Sequence, residues 1–174
     1  MTVEIAAALD QKRTQQGATL SVLSLLSPVL VVFLRHPGCT FCRESISDIA
    51  RSRKAIEGAG VRIVLVHHGD TAAIQSLLNR RGLEGMDRIY DADLSLYRAF
   101  GLKRGTTSQL VGPKTWFRGT VAGILHGHGV GRVGGDPFQM PGAFLIHNCR
   151  MVRSFRHTTA ADRPDYEGLA GAAS

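Results

Sequence analysis

The most constraining feature of this chain is an almost uninterrupted apolar run, Pro28 to Leu34 (PVLVVFL), which delivers the backbone directly to Cys39-Thr40-Phe41-Cys42. Branched apolar residues without polar alternation predict a central strand covered on both faces. From Phe41 onward the period changes. Ile46, Ile49 and Ile56 with Ala50 fall near one helical face, Arg51, Arg53 and Lys54 point away from it, and Gly58 to Gly60 ends the helix. The two thiols therefore sit where a buried strand turns into a helix.

The same alternation continues down the chain. Val61 to Val66 reads as a second buried strand, and Asp70 caps a helix through Ile74, Leu77 and Leu78 that stops at Gly82. Arg88 to Tyr90 is a short third strand, followed by Asp93 as cap for Leu94 to Phe100 and Gly101 in the C-terminal capping position. Such an order predicts an α/β protein, a parallel-centred sheet with helices on both faces. Gly142 to His147 and Met151 to Arg156 add an antiparallel hairpin around Asn148-Cys149-Arg150, with Asn148 in the left-handed conformation. Thr2 to Gln16 reads as an N-terminal amphipathic helix and Pro164 to Ala170 as a last short one. Between them, Ser108 to Leu125 is consistent with a helix broken near Gly112-Pro113. Gly127 to Gly135 (GHGVGRVGG) lacks the frame of a phosphate cradle and reads as a loop. With 174 residues the expectation is one domain spanning 1–174, its core at about 20–157.

Composition narrows the function classes. Twenty-one Lys and Arg against fourteen Asp and Glu leave +7, but the charge is spread from Lys12 to Arg163. With 6% aromatic residues and Trp116 as sole tryptophan, a stacking surface for nucleic acid is not expected. The apolar stretch Leu20 to Leu34 is interrupted by Ser21, Ser24, Ser27 and Pro28 and is shorter than the roughly 18 residues of a membrane span. Met1 to Asp10 has no basic leader, so the expected location is cytoplasmic.

Three cysteines in such a protein do not form a disulfide framework, and the spacing of Cys39 and Cys42 points to redox or metal chemistry. At a helix N-terminus the free N–H groups and the positive end of the dipole favour a thiolate, most strongly on the first cysteine. Arg35, His36 and Arg43 add positive charge, and Pro37-Gly38 is expected to shape a turn that exposes Cys39, while Cys42 points inward beside Ile46. On this physics Cys39 attacks first. His36 either tunes the thiols or caps the turn, and Arg43 is preferred to Glu44 as a supporting group. Met140-Pro141, immediately before the hairpin, is a second candidate part of the site. No cofactor is expected. The competing reading is a metal carrier using Cys39 and Cys42 with His36 or the His126-x-His128 pair. Of the other histidines, His67, His68 and His157 read as packing or solvated residues, and Cys149 reads as an incidental surface thiol.

Three segments carry a family resemblance: FLRHPGCTFCRE (Phe33 to Glu44), YDADLSLYRAFGL (Tyr90 to Leu102) and GGDPFQMPGAFLI (Gly134 to Ile146). On these the chain resembles the peroxiredoxin-like branch of the alkyl hydroperoxide reductase/thiol-specific antioxidant superfamily, close to selenoprotein-L-like proteins, over Leu20 to His157. The resemblance implies a thioredoxin-like fold, with an insertion before the C-terminal hairpin and a cis Pro141 against the cysteine pair. It also implies a thiol oxidoreductase cycling between dithiol and disulfide, with a peroxide or disulfide as substrate and an external thiol reductant such as a thioredoxin or glutathione system. Most peroxiredoxins carry Thr-x-x-Cys, which makes Cys42 the peroxide-reacting residue, whereas thioredoxin logic selects Cys39. The oligomeric state is left open, a homodimer among the alternatives.

Overall fold

Val29–Phe33, the strand predicted from the apolar run, is β1 and lies at the centre of a five-stranded sheet. The computed structural model describes residues 3–106 and 135–171; the expected broken helix at Ser108 to Leu125 and all but the last residue of the glycine-rich loop lie outside them. The strand order is β3-β2-β1-β4-β5, with β2 at Arg62–His67, β3 at Asp87–Tyr90, β4 at Gly142–His147 and β5 at Arg150–Arg156. β1 runs parallel to β2 and antiparallel to β4, so Phe33 faces Val66 on one side and Gly142 on the other. This is the mixed, parallel-centred sheet with a C-terminal hairpin that the residue pattern predicts.

Because side chains alternate across a strand, β1 feeds two cores. Leu30 and Val32 point with Leu34 toward α3 (Thr40–Gly58), α4 (Thr71–Asn79) and α6 (Tyr166–Ala170), meeting Ile46, Ile49, Ile74 and Tyr166. Val29, Val31 and Phe33 point to α1 (Val3–Ala8), α2 (Leu20–Leu26) and α5 (Ser95–Ala99), against Leu20, Leu23, Tyr97 and Phe100. Phe33 packs edge-on to Tyr97 at 4.9 Å and to Phe144 at 5.6 Å between ring centres.

Several local expectations need correction. The N-terminal helix does not reach Gln16. It stops at Ala8, Gly17 turns the chain at φ 88°, and Thr19 starts a second helix, α2, by accepting from Val22 N–H at 3.3 Å. Amphipathic periodicity continued past the first break, but Thr19 is the better cap. For α4 the expected cap holds, Asp70 Oδ1 accepting from Ala73 N–H at 3.0 Å. For α5 the expected Asp93 accepts only from Ser95 N–H, at 3.4 Å, and the fully buried Asp91 takes the next two, Leu96 N–H at 2.9 Å and Tyr97 N–H at 3.2 Å, through Oδ2. The hairpin turn is one residue tighter than expected: Asn148 (φ 49°) and Cys149 (φ 58°) are both left-handed, and β5 already begins at Arg150. Cys149 is not simply on the surface. It is half-buried against α2, with Sγ 3.4 Å from Ser21 Oγ and its N–H donating to Ser24 Oγ at 3.1 Å.

One buried hydroxyl fastens the two central strands near the cysteines. Tyr97 Oη donates to Leu34 O at 2.5 Å and lies 3.1 Å from Val66 O, in a fully buried position. Tyr97→Phe is expected to lower the free energy of unfolding by about 1–2 kcal/mol, measured by urea denaturation, because two strand-end carbonyls lose a donor away from water.

Candidate active site

Cys39 is the N-cap residue of α3, with extended backbone (φ −80°, ψ 127°), and its carbonyl accepts from Cys42 N–H at 3.1 Å and Arg43 N–H at 3.3 Å. Its own N–H donates to His36 O at 3.0 Å, closing the Pro37-Gly38 turn. The turn does not expose the sulfur as expected: Cys39 is 8% exposed. The burial has a specific cause. Arg35, itself 6% exposed, folds over the junction and donates from Nη1 to Cys39 Sγ at 3.0 Å. The other guanidinium nitrogens are held from across the sheet. Nε donates to Gln139 O at 3.3 Å and Nη2 to Pro137 O.

Cys42 lies one turn further along α3, 2% exposed, its Sγ donating to Arg35 O at 3.5 Å. Burial pushes its thiol far above the usual range, and the neighbouring Cys39 adds to this, while Arg35 and, less, Arg43 oppose it. At neutral pH Cys42 is therefore a protonated thiol. Arg43, expected to tune the pair, also donates from Nε to Pro37 O at 3.4 Å and buttresses the turn. Glu44 is buried rather than an exposed first-turn charge, and lies 3.9 Å from Arg163 Nη1.

His36 and His68 are buried at the C-terminal ends of β1 and β2, and neither His36 Nδ1 nor His68 Nε2 has a hydrogen-bond partner among the described residues. Burial, helped by Arg35, holds His36 down at about 4, and burial also lowers His68, against the pull of Asp136. His67 is buried against Tyr90, ring centres 5.4 Å apart, and is likewise held at about 4. His126 and His128 lie outside the described residues. Among the described residues no group of three or more His, Cys, Asp or Glu side chains is placed to hold a metal ion, so the metal-carrier reading gains no support.

Met140 and Pro141 are buried just before β4. The peptide before Pro141 is trans, not cis as the resemblance implied. An X–Pro bond prefers trans by about 0.5–1 kcal/mol, and here the trans chain is held on both sides: Met140 N–H donates to Lys103 O at 3.2 Å and His157 N–H to Pro141 O at 3.5 Å. The residue of this segment that reaches the site is its neighbour Gln139. Its carbonyl takes the Arg35 bond, and its buried side chain donates from Nε2 to Leu102 O at 3.2 Å and Met140 O at 3.1 Å. Sequence reasoning had Arg35 only as nearby charge and had no role for Gln139, since a backbone carbonyl leaves no signature in residue type.

The profile of AhpC/TSA antioxidant enzymes matches residues 48–159, beginning just after the cysteine pair. No curated protein matches the chain in sequence. Among solved structures, the chain is similar to the bacterioferritin comigratory protein of Xanthomonas campestris, studied for alkyl peroxide reduction. The TM-score is 0.64 at 16% identity, over 96% of this chain and 92% of the other. It is similar at TM-score 0.64 and 17% identity to a peroxiredoxin Q of the same organism, over 96% of this chain and 92% of that one. A secreted disulfide oxidoreductase of Mycobacterium tuberculosis shares the fold at TM-score 0.56 and 15% identity, over 99% and 98%. The sheet order, the helix carrying the cysteines and the matched profile agree: this chain is a thioredoxin-fold member of the AhpC/TSA antioxidant enzyme family, a thiol oxidoreductase.

Proposed function

We propose that the chain reduces peroxides through a dithiol/disulfide cycle in which Cys39 attacks and Cys42 resolves. The observation that carries this reading is the 3.0 Å contact from Arg35 Nη1 to Cys39 Sγ at the open N-terminus of α3. The guanidinium is placed to donate a charge-assisted hydrogen bond to the sulfur as it attacks, whereas burial holds Cys42 as a thiol. The Cys39 thiolate attacks one oxygen of the peroxide, the O–O bond breaks, and the leaving alkoxide or hydroxide takes up a proton as alcohol or water. Cys39 becomes a sulfenic acid. Cys42 then loses its proton, its sulfur bonds to Cys39 Sγ, and the hydroxyl leaves as water. An external dithiol returns both cysteines to the reduced state. The shallow exposure of Cys39 favours a small electrophile over a protein disulfide.

The test is mass spectrometry after one equivalent of hydrogen peroxide or of an oxidised dithiol. Wild type is expected to form a Cys39–Cys42 disulfide with peroxide. Cys42→Ser is expected to stop at a sulfenic acid that dimedone traps on Cys39, and Cys39→Ser to remain unmodified. If Cys42 carries the sulfenic acid in Cys39→Ser, the roles are reversed as the Thr-x-x-Cys pattern implies. If only the disulfide reacts, the substrate is a disulfide. If no cysteine changes with either oxidant, the thiol cycle is wrong.

A further inference from the structure

α2 is apolar on the side away from the sheet as well as on the side that packs against it. Leu20, Leu23 and Ser24 face the core, while Val22, Leu25 and Leu26 are 50%, 60% and 73% exposed. The serines, which would suit the outer face, are turned to the hairpin instead. Ser24 Oγ donates to Ser21 O at 2.9 Å and accepts from Cys149 N–H at 3.1 Å, and Asn148 N–H donates to Ser24 O at 2.9 Å. Single exposed apolar residues need no account, but three on one face of a seven-residue helix form a contact patch. Its rim is basic. Arg13 bridges to Thr19, the N-cap of α2, and Arg150 follows Cys149, whose Sγ lies 3.4 Å from Ser21 Oγ, one turn before Leu25. Both arginines are exposed and neither has a carboxylate partner among the described residues. The carboxylate at that end of α2, Asp10, accepts from Thr19 Oγ1 at 3.1 Å, and the chain as a whole carries +7.

We propose that α2 attaches the protein to the surface of an anionic bilayer, with Val22, Leu25 and Leu26 inserted at headgroup level and Arg13 and Arg150 against the acidic lipids. Two features favour lipid over a second copy of the chain. Packing α2 against its own twofold mate would bring the same arginines together, and three partly exposed aliphatic side chains cover far less than the about 800 Å² per partner of a stable interface. A lipid surface meets neither objection, because apolar side chains enter it singly and cations are drawn to it. Among the described residues no helix is long and apolar enough to cross a membrane, so the contact is peripheral. The hairpin turn that packs on α2 follows β4 where Ile146 pairs with Val29 at the start of β1, whereas the cysteines follow the other end of β1 at Phe33. A protein held by α2 therefore keeps its cysteine pair away from the lipid and open to peroxide and reductant in water.

Co-sedimentation of the full chain with vesicles tests this, using phosphatidylcholine alone and phosphatidylcholine mixed with phosphatidylserine. Wild type is expected to pellet with the mixed vesicles, several-fold less with phosphatidylcholine alone, and less again as salt is raised. The double variant Leu25→Ser/Leu26→Ser is expected to bind the mixed vesicles at least tenfold more weakly, and Arg150→Ala about fivefold. Circular dichroism checks the fold of each. Should the double variant unfold, Leu26→Ser, at the most exposed of the three positions, replaces it, and a several-fold loss is expected. Wild type that pellets with neither vesicle overturns the proposal. So does a folded serine variant that binds as wild type does, since charge alone would then account for the binding. Sedimentation velocity without lipid covers the remaining case: a dimer that Leu26→Ser dissociates, in a protein that leaves vesicles in the supernatant, makes a second copy the occupant of α2 and the lipid assignment wrong.

Discussion

Arg35→Met is expected to slow the reaction of the reduced protein with hydrogen peroxide by roughly ten- to a hundred-fold. The bond that is lost sets the size of the effect. Arg35 Nη1 donates to Cys39 Sγ at 3.0 Å in a site where both residues are under 10% exposed. Hydrogen bonds to charged groups contribute about 1.5–3 kcal/mol, and each 1.4 kcal/mol is tenfold in rate. Methionine keeps the buried volume and removes the charge and the donors. Arg35→Lys keeps the charge but cannot reach the sulfur, Pro137 O and Gln139 O together, so an intermediate rate is expected. Competition kinetics against a thiol of known reactivity would read the rate, and circular dichroism would verify the fold of each variant. A folded Arg35→Met protein reacting at the wild-type rate would mean that the guanidinium does not assist Cys39.

The second large effect is loss of stability on mild acidification. His36, His67 and His157 are each held at about 4, in all three cases chiefly by burial, against an ordinary value of 6.5. A depressed folded-state value means that between pH 6.5 and 4 the unfolded chain binds more protons than the native one. Stability from these groups is thus complete above 6.5 and lost as pH falls toward 4. At pH 5 the loss is at most about 2 kcal/mol for each. Asp91 acts in the opposite direction, its carboxyl raised by burial and so gaining as pH falls, while the strongly lowered Asp162 begins to lose its contribution only as pH falls into the ordinary carboxylate range, below pH 5. Urea midpoints at pH 7.5 and 5 should therefore differ widely, and His67→Phe, which keeps the ring contact with Tyr90, should narrow the gap. Equal midpoints in wild type would contradict neutral burial of these rings.

What was legible in the sequence follows the range over which the physics acts. The run Pro28 to Leu34 predicted β1 because burial on both faces requires apolar residues at successive positions, and the Asp70 cap is a contact over three residues. Asp93 was chosen over Asp91 because capping rules count from the helix start, and the left-handed Leu94 (φ 57°) displaces that start by one residue. The site was half legible. Cys39 and Cys42 were located by spacing, but the burial of Cys39 was not. It depends on Arg35 reaching carbonyls 102 and 104 residues away, and neither Pro137 O nor Gln139 O has a side-chain signature. Pro141 was assigned by analogy to a cis turn, and the local hydrogen bonds of Met140 and Pro141 favour the trans chain instead.

That separation of 104 residues between Arg35 and Gln139 also sets an order of events during synthesis. Chains elongate at about 5–20 residues per second, so the cysteines leave the ribosome roughly 5–20 s before the carbonyls that hold the guanidinium over them. β4, which pairs with β1 from Phe33–Gly142 to Val29–Ile146, arrives later still. Throughout that interval the nascent chain carries two uncovered thiols one helical turn apart, open to any oxidant present. Growing cells would meet this enzyme's cysteines first as a vulnerability of translation, and only after about four-fifths of the chain is made as a protected site.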